Sequence, residues 1–130
     1  MMQRITRNMT DQEIKSRLAR FDELQAMNVP IDRNIVSQEA MDVIFARTLM
    51  PVIMEESKNP FGDRSAIVGA NGLALNISVL PPDQGPCLHA HNNTFETFVV
   101  LEGEITFKIG EPGEEKEITL GKWDTFSCPP

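Results

Sequence analysis

Two histidines stand two residues apart, His89 and His91, and a carboxylate, Glu96, follows five residues later. They are the only histidines in the chain. On a β-strand, residues i and i+2 share a face, so both imidazoles are aimed at one point. Asn92-Asn93 then allows a reversal, and Glu96 on the next strand adds a carboxylate. Two neutral imidazoles and one carboxylate on a rigid β scaffold make a facial ligand set with open positions. It suits one divalent transition metal ion, Fe, Mn, Ni or Zn, without selecting among them. A His-x-His pair by itself is common on exposed loops, so the weight falls on Glu96. That residue alternates in phase with Phe98 and Val100, on a face where an unpaired carboxylate is costly. The plainer readings are two histidines that only hydrogen-bond within a β domain, and a carboxylate that faces water.

Other side chains near this motif have two readings each. Cys87 is in phase with His89 and His91. It is either a thiol near the ion or, as is commoner for cysteine, a small buried apolar residue. Phe98, Phe107 and Trp123 either line a substrate cavity or, more often for such residues, fill the core. Arg64 is the only arginine after residue 50 and is a weak candidate for binding an anionic group. No catalytic acid or base stands out beyond the ligand set.

Positioning these groups requires two kinds of element. Thr10 and Glu13 form a capping box, and Ile14, Leu18, Phe21 and Leu24 recur at helical spacing, so a helix is predicted from there to about Asn28, just before Pro30. Ser37 is a second N-cap, followed by Ala40, Met41, Ile44 and Phe45, with Pro51 closing the segment. Residues 52–72 read as irregular, with a turn cluster at Asn59-Pro60-Phe61-Gly62-Asp63. From Leu73 the period becomes two: Leu73, Leu75, Ile77 and Val79 predict a half-buried strand. Further short strands are predicted over 88–91, 95–101, 104–109, 116–120 and 125–128, the third returning on the second through Glu102-Gly103. Short strands at close intervals with Gly and Pro turns indicate a sandwich or barrel.

The run HAHNNTFETFVVLEGEITF resembles the first conserved motif of the cupin superfamily, matched by His89, His91, Glu96 and Gly103. The usual leading glycine is displaced, because Gly85 lies four positions before His89 where the family has six. GKWDTFSCPP resembles the opening of the second motif through Gly121 and Pro129 or Pro130. The resemblance covers about residues 64–130. It implies a mainly β fold, a cupin-type double-stranded β-helix (jelly roll), here with an N-terminal two-helix extension. The expected division is a helical extension over 1–50 and a barrel domain over 51–130. The family's second motif continues to a further glycine and a fourth ligand, normally His. The barrel is therefore expected to be incomplete at Pro130, with a longer native chain preferred over a partner chain that supplies the missing wall. A third possibility is a three-ligand site with more water on the ion.

Charge narrows the partners. Residues 1–50 balance seven basic against seven acidic residues, whereas residues 51–130 carry five against twelve, which accounts for the formal charge of -7. That sign repels phosphate backbones, and residues 10–50 lack the basic surplus of a helix-turn-helix, so no nucleic-acid partner is expected. No apolar run reaches the roughly 18 residues of a membrane span, and the first residues have no signal-peptide core. With only Cys87 and Cys128, a cytoplasmic protein is expected. The resulting expectation is a metal-dependent small-molecule enzyme, dioxygenase-like first and isomerase-like second, working as a homodimer. The alternative is a non-catalytic small-molecule-binding cupin whose metal is structural or absent.

Overall fold

The computed structural model describes residues 8–26, 37–45, 47–54, 65–69 and 72–130. Among these the chain is mainly β, with seven strands in small sheets and two helices, and no closed barrel is formed. It divides into two compact units, Met1–Pro86 and Cys87–Pro130. The junction expected between residues 50 and 51 falls inside a strand.

In the first unit, α1 (Asp11–Ser16) has the predicted capping box in full. The Glu13 amide donates to Thr10 Oγ1 at 3.1 Å and the Thr10 amide to Glu13 Oε2 at 2.7 Å. The helix predicted to run to Asn28 stops at Ser16 and is followed by a 3-10 turn, Phe21–Glu23. Of its predicted apolar stripe, Ile14, Leu18 and Phe21 are exposed and only Leu24 is half-buried. A single short helix without a face to bury is marginal, so its last turn tightens through Arg17 N–H to Ile14 C=O and Leu18 N–H to Lys15 C=O. The predicted end near Asn28 and the turn at 59–63 lie outside the described residues. Helix α2 (Gln38–Phe45) starts as predicted, with the Ala40 amide on Ser37 Oγ at 3.2 Å.

Pro51 does not close that helix. It lies fully buried in β1 (Thr48–Met54), the central strand between β2 (Ile67–Val68, parallel) and β3 (Leu75–Val79, antiparallel). A proline cannot donate to a ladder, and it is tolerated here at an irregularity, because the register with β3 shifts between Pro51 and Ile53. The extra residue, Val52, also resets the burial phase. Leu49 and Pro51 are buried before it and Met54 after it, and Met41 of α2 joins them in this small core. Strand β3 forms where the alternation predicts, but only Ile77 of its apolar row is half-buried; Leu73, Leu75 and Val79 are exposed.

The second unit contains β4 (Glu96–Val99), β5 (Ile105–Ile109), β6 (Lys116–Leu120) and β7 (Thr125–Cys128). The predicted return of the third strand on the second does not occur. β4 pairs with β7, and β5 with β6, both antiparallel. Gly103 does take a left-handed turn conformation (φ 77°), but it bends the chain instead of folding it back. The two ladders are consecutive stretches of one long hairpin. From Glu96↔Cys128 to Val99↔Thr125, and then from Ile105↔Leu120 to Ile109↔Lys116, the register changes by a single residue. The hairpin kinks between the ladders at a β-bulge. Val100 donates to the Asp124 carbonyl at 3.1 Å and accepts from the Trp123 amide at 2.7 Å, so two residues face one. Trp123 holds the left-handed position of that bulge, at φ 71°.

The kink brings the inner faces of the ladders together through phenyl rings. Phe98 and Phe107 have centroids 4.7 Å apart, and Phe107 and Phe126 5.8 Å. Apart from exposed Val99 the outer face is polar, with Thr97 bonded to Ser127 and Thr106 to Thr119 through their hydroxyls, each at 2.8 Å.

Candidate metal centre

Glu96 is the first residue of β4, and strand alternation puts it on the inner face with Phe98. The half-buried strand residues of this unit are Glu96 and eight others, all of them Phe, Ile, Leu or Cys. Glu96 is therefore the one half-buried charged strand residue of this unit, on a face that carries Lys116 only at the exposed end of the β5–β6 ladder, and its side chain keeps 31% of its surface. Without a partner that placement costs free energy.

A partner stands nearby. His91 Nε2 lies 3.3 Å from Glu96 Oε2, and the rings of His89 and His91 meet edge to face with centroids 5.1 Å apart. One donor atom from each of His89, His91 and Glu96 lies within 4.8 Å of the others. Donors bound to one ion at about 2.1 Å are roughly 3 Å apart, so the His91–Glu96 spacing already suits shared coordination. The donor chemistry, two imidazoles and a carboxylate, fits a divalent transition ion.

The route to this convergence differs from the strand predicted over residues 88–91. Residues 87–95 are irregular, with a bend at Asn92-Asn93, and among the described residues no strand pairs with them. The histidines are oriented locally instead. His89 Nδ1 lies 2.8 Å from the Cys87 carbonyl. A carbonyl only accepts, so Nδ1 carries the proton and the Nε2 lone pair is left to ligate.

The remaining candidates are distributed differently. Cys87 is not a buried apolar residue; its thiol is free and exposed, because its segment lies outside any sheet. Phe98 and Phe107 are half-buried and pack against each other, but Trp123 is 67% exposed, with Lys122 Nζ 5.8 Å from its ring. Arg64 lies outside the described residues. Two neighbours of the site were missed in the sequence. Cys128 is the register partner of Glu96, and Phe126 that of Phe98. Both fall in the strand predicted over 125–128, yet nothing local in the sequence signals that this strand pairs with β4.

Comparison of the chain with protein-family models, curated proteins and solved structures finds no match. Among the described residues no helix is long and apolar enough to cross a membrane.

Proposed function

We propose that the β-rich half of the chain is a cupin-type jelly roll in which His89, His91 and Glu96 hold one divalent transition metal ion. The observation that carries the site is the approach of three ligand-competent atoms to within 4.8 Å around a half-buried carboxylate on a mainly apolar face. The nested pairing of β4 with β7 and β5 with β6 supports the jelly roll, since that architecture arises when a long antiparallel hairpin is wrapped upon itself.

When bound, the ion would supply Lewis acidity or oxygen chemistry. The chain's own part is to present Nε2 of His89 through the Cys87 carbonyl, to contribute one negative charge through Glu96, and to set packed phenyl rings on the face that Glu96 shares. The reading is a metal-dependent enzyme acting on a small hydroxylated or aromatic compound, dioxygenase-like before isomerase-like, in the cytoplasm. The exposed apolar row Leu73, Leu75 and Val79 supports a homodimer, to be checked by sedimentation velocity. The second reading is a binding module without turnover.

Metal analysis of untagged protein tests the site. About one ion per chain in the wild type and none in His89→Ala is expected; equal metal content in both would end the proposal. Oxygen uptake with a panel of catechols then separates enzyme from binding module.

A further inference from the structure

The metal-site reading uses three side chains, and the ladder that carries Glu96 sets another donor beside them. Glu96 opens β4, Cys128 closes β7, and the antiparallel register places the two directly opposite each other. Both are half-buried and alternate in phase with Phe98 and Phe126, so both side chains rise from the inner face. Opposite residues of an antiparallel pair have Cβ atoms about 5 Å apart. Side chains do meet across this ladder, since the next pair, Thr97 and Ser127, is joined through its hydroxyls at 2.8 Å. His89 and His91 reach Glu96 from the segment leading into β4, at the same end of the ladder as Cys128.

A thiolate binds a zinc-like ion at about 2.3 Å and a carboxylate at about 2.1 Å, so side chains starting about 5 Å apart can share one ion. The Cys128 thiol is free. Its sulfur is not among the donor atoms grouped within 4.8 Å, so ligation calls for a change of χ1, the one torsion that swings it across the ladder. The other thiol is less suited, because Cys87 is exposed and its carbonyl already orients His89. The cupin resemblance supplies no ligand at this position, since its fourth ligand is a histidine beyond the proline that follows Cys128.

We propose, on the basis of that metal-site reading, that Cys128 is a further ligand to the ion. The sulfur–metal bond forms as the thiol proton passes to solvent. Glu96 and the thiolate together then balance the charge of a divalent ion. A soft sulfur donor favours Zn(II) over Mn(II), which narrows a choice that two imidazoles and a carboxylate leave open.

Co(II) reports the ligation directly. A cobalt-bound thiolate has a sulfur-to-metal charge-transfer band in the near ultraviolet, which imidazole and carboxylate ligands do not give. The full chain is loaded with Co(II) under reducing conditions, and metal content and spectrum are recorded for the wild type, Cys128→Ser and Cys87→Ser. The band is expected in the wild type and in Cys87→Ser, and its loss is expected in Cys128→Ser. Reduced Co(II) content in a folded Cys128→Ser, with full content in Cys87→Ser, points the same way. Cys128→Ala takes the place of the serine variant if circular dichroism shows that variant unfolded. A wild type that binds Co(II) without the band, a band that survives in a folded Cys128 variant, or a band lost in Cys87→Ser would overturn the sulfur ligand and leave the three-donor site standing. Failure of the wild type to bind Co(II) would overturn both.

Discussion

Trp123 occupies a backbone position that physical chemistry assigns to glycine. It is the third residue of the turn Gly121–Asp124, closed by the Asp124 amide on the Gly121 carbonyl at 3.0 Å, and its φ is 71°. The left-handed region costs an L-residue about 1–2 kcal/mol, and glycine escapes that cost. Glycine in turn loses more chain entropy on folding, about 0.5–1 kcal/mol relative to alanine. Trp123→Ala and Trp123→Gly both discard the indole and its Lys122 contact, so their difference isolates the backbone. Subtracting the two effects, Trp123→Gly should be the more stable by about 0.5–1 kcal/mol. In a chain of this size that is a melting-temperature difference of roughly 2–5 °C. Lys122 is the control, because its φ is not positive, and there alanine should be more stable than glycine. The assay is thermal and urea unfolding of the full chain followed by circular dichroism. If Trp123→Ala equals or exceeds Trp123→Gly, the bulge is not as described and the kink that stacks Phe98 and Phe126 on Phe107 loses its explanation.

Four further outcomes are expected. In metal-free protein, Glu96→Leu should raise stability by about 0.5–1 kcal/mol by removing a half-buried charge from a mainly apolar face. With metal in hundredfold excess over its dissociation constant the order should reverse, since the wild type then gains about 2.7 kcal/mol and the variant does not; parallel melts with and without Zn(II) check both signs. Nitrogen-15 NMR of the neutral His89 ring in the metal-free state should show the proton on Nδ1, and finding it on Nε2 would remove the Cys87 carbonyl from the scheme. Ser37→Ala should cost about 1 kcal/mol through loss of the α2 cap, read from the urea midpoint. Hydrogen bonds from the Glu115 and Gly113 amides hold the Glu115 carboxyl below its ordinary range. Its contribution is thus complete above the ordinary carboxylate range and is lost as the pH falls through the lowered value. Glu115→Gln should flatten that acid limb of the stability–pH curve, and an unchanged limb would count against the assignment.

Local signals in the chain were sufficient for features that depend on a few neighbouring residues. Thr10 with Glu13, and Ser37, marked helix starts because a cap is satisfied within three residues. The alternation of 116–120 and 125–128 located β6 and β7, and that of Glu96 with Phe98 put the carboxylate on the inner face. The types and spacing of His89, His91 and Glu96 were enough to nominate the ligand set, since donor chemistry belongs to the side chains themselves. Pairing was another matter. Whether β4 meets β5 or β7 is decided by a contact about thirty residues away in sequence, and Glu102-Gly103 reads equally well as a hairpin turn or a kink. Pro51 misled for a related reason: a proline forbids regular ladder bonding, and only the register shift against β3 shows how a central strand accommodates one. The failure of the first helix beyond Ser16, and the exposure of Leu73, Leu75 and Val79, follow from the same principle. Periodicity records which side of an element seeks cover, and only the tertiary structure decides whether cover is there.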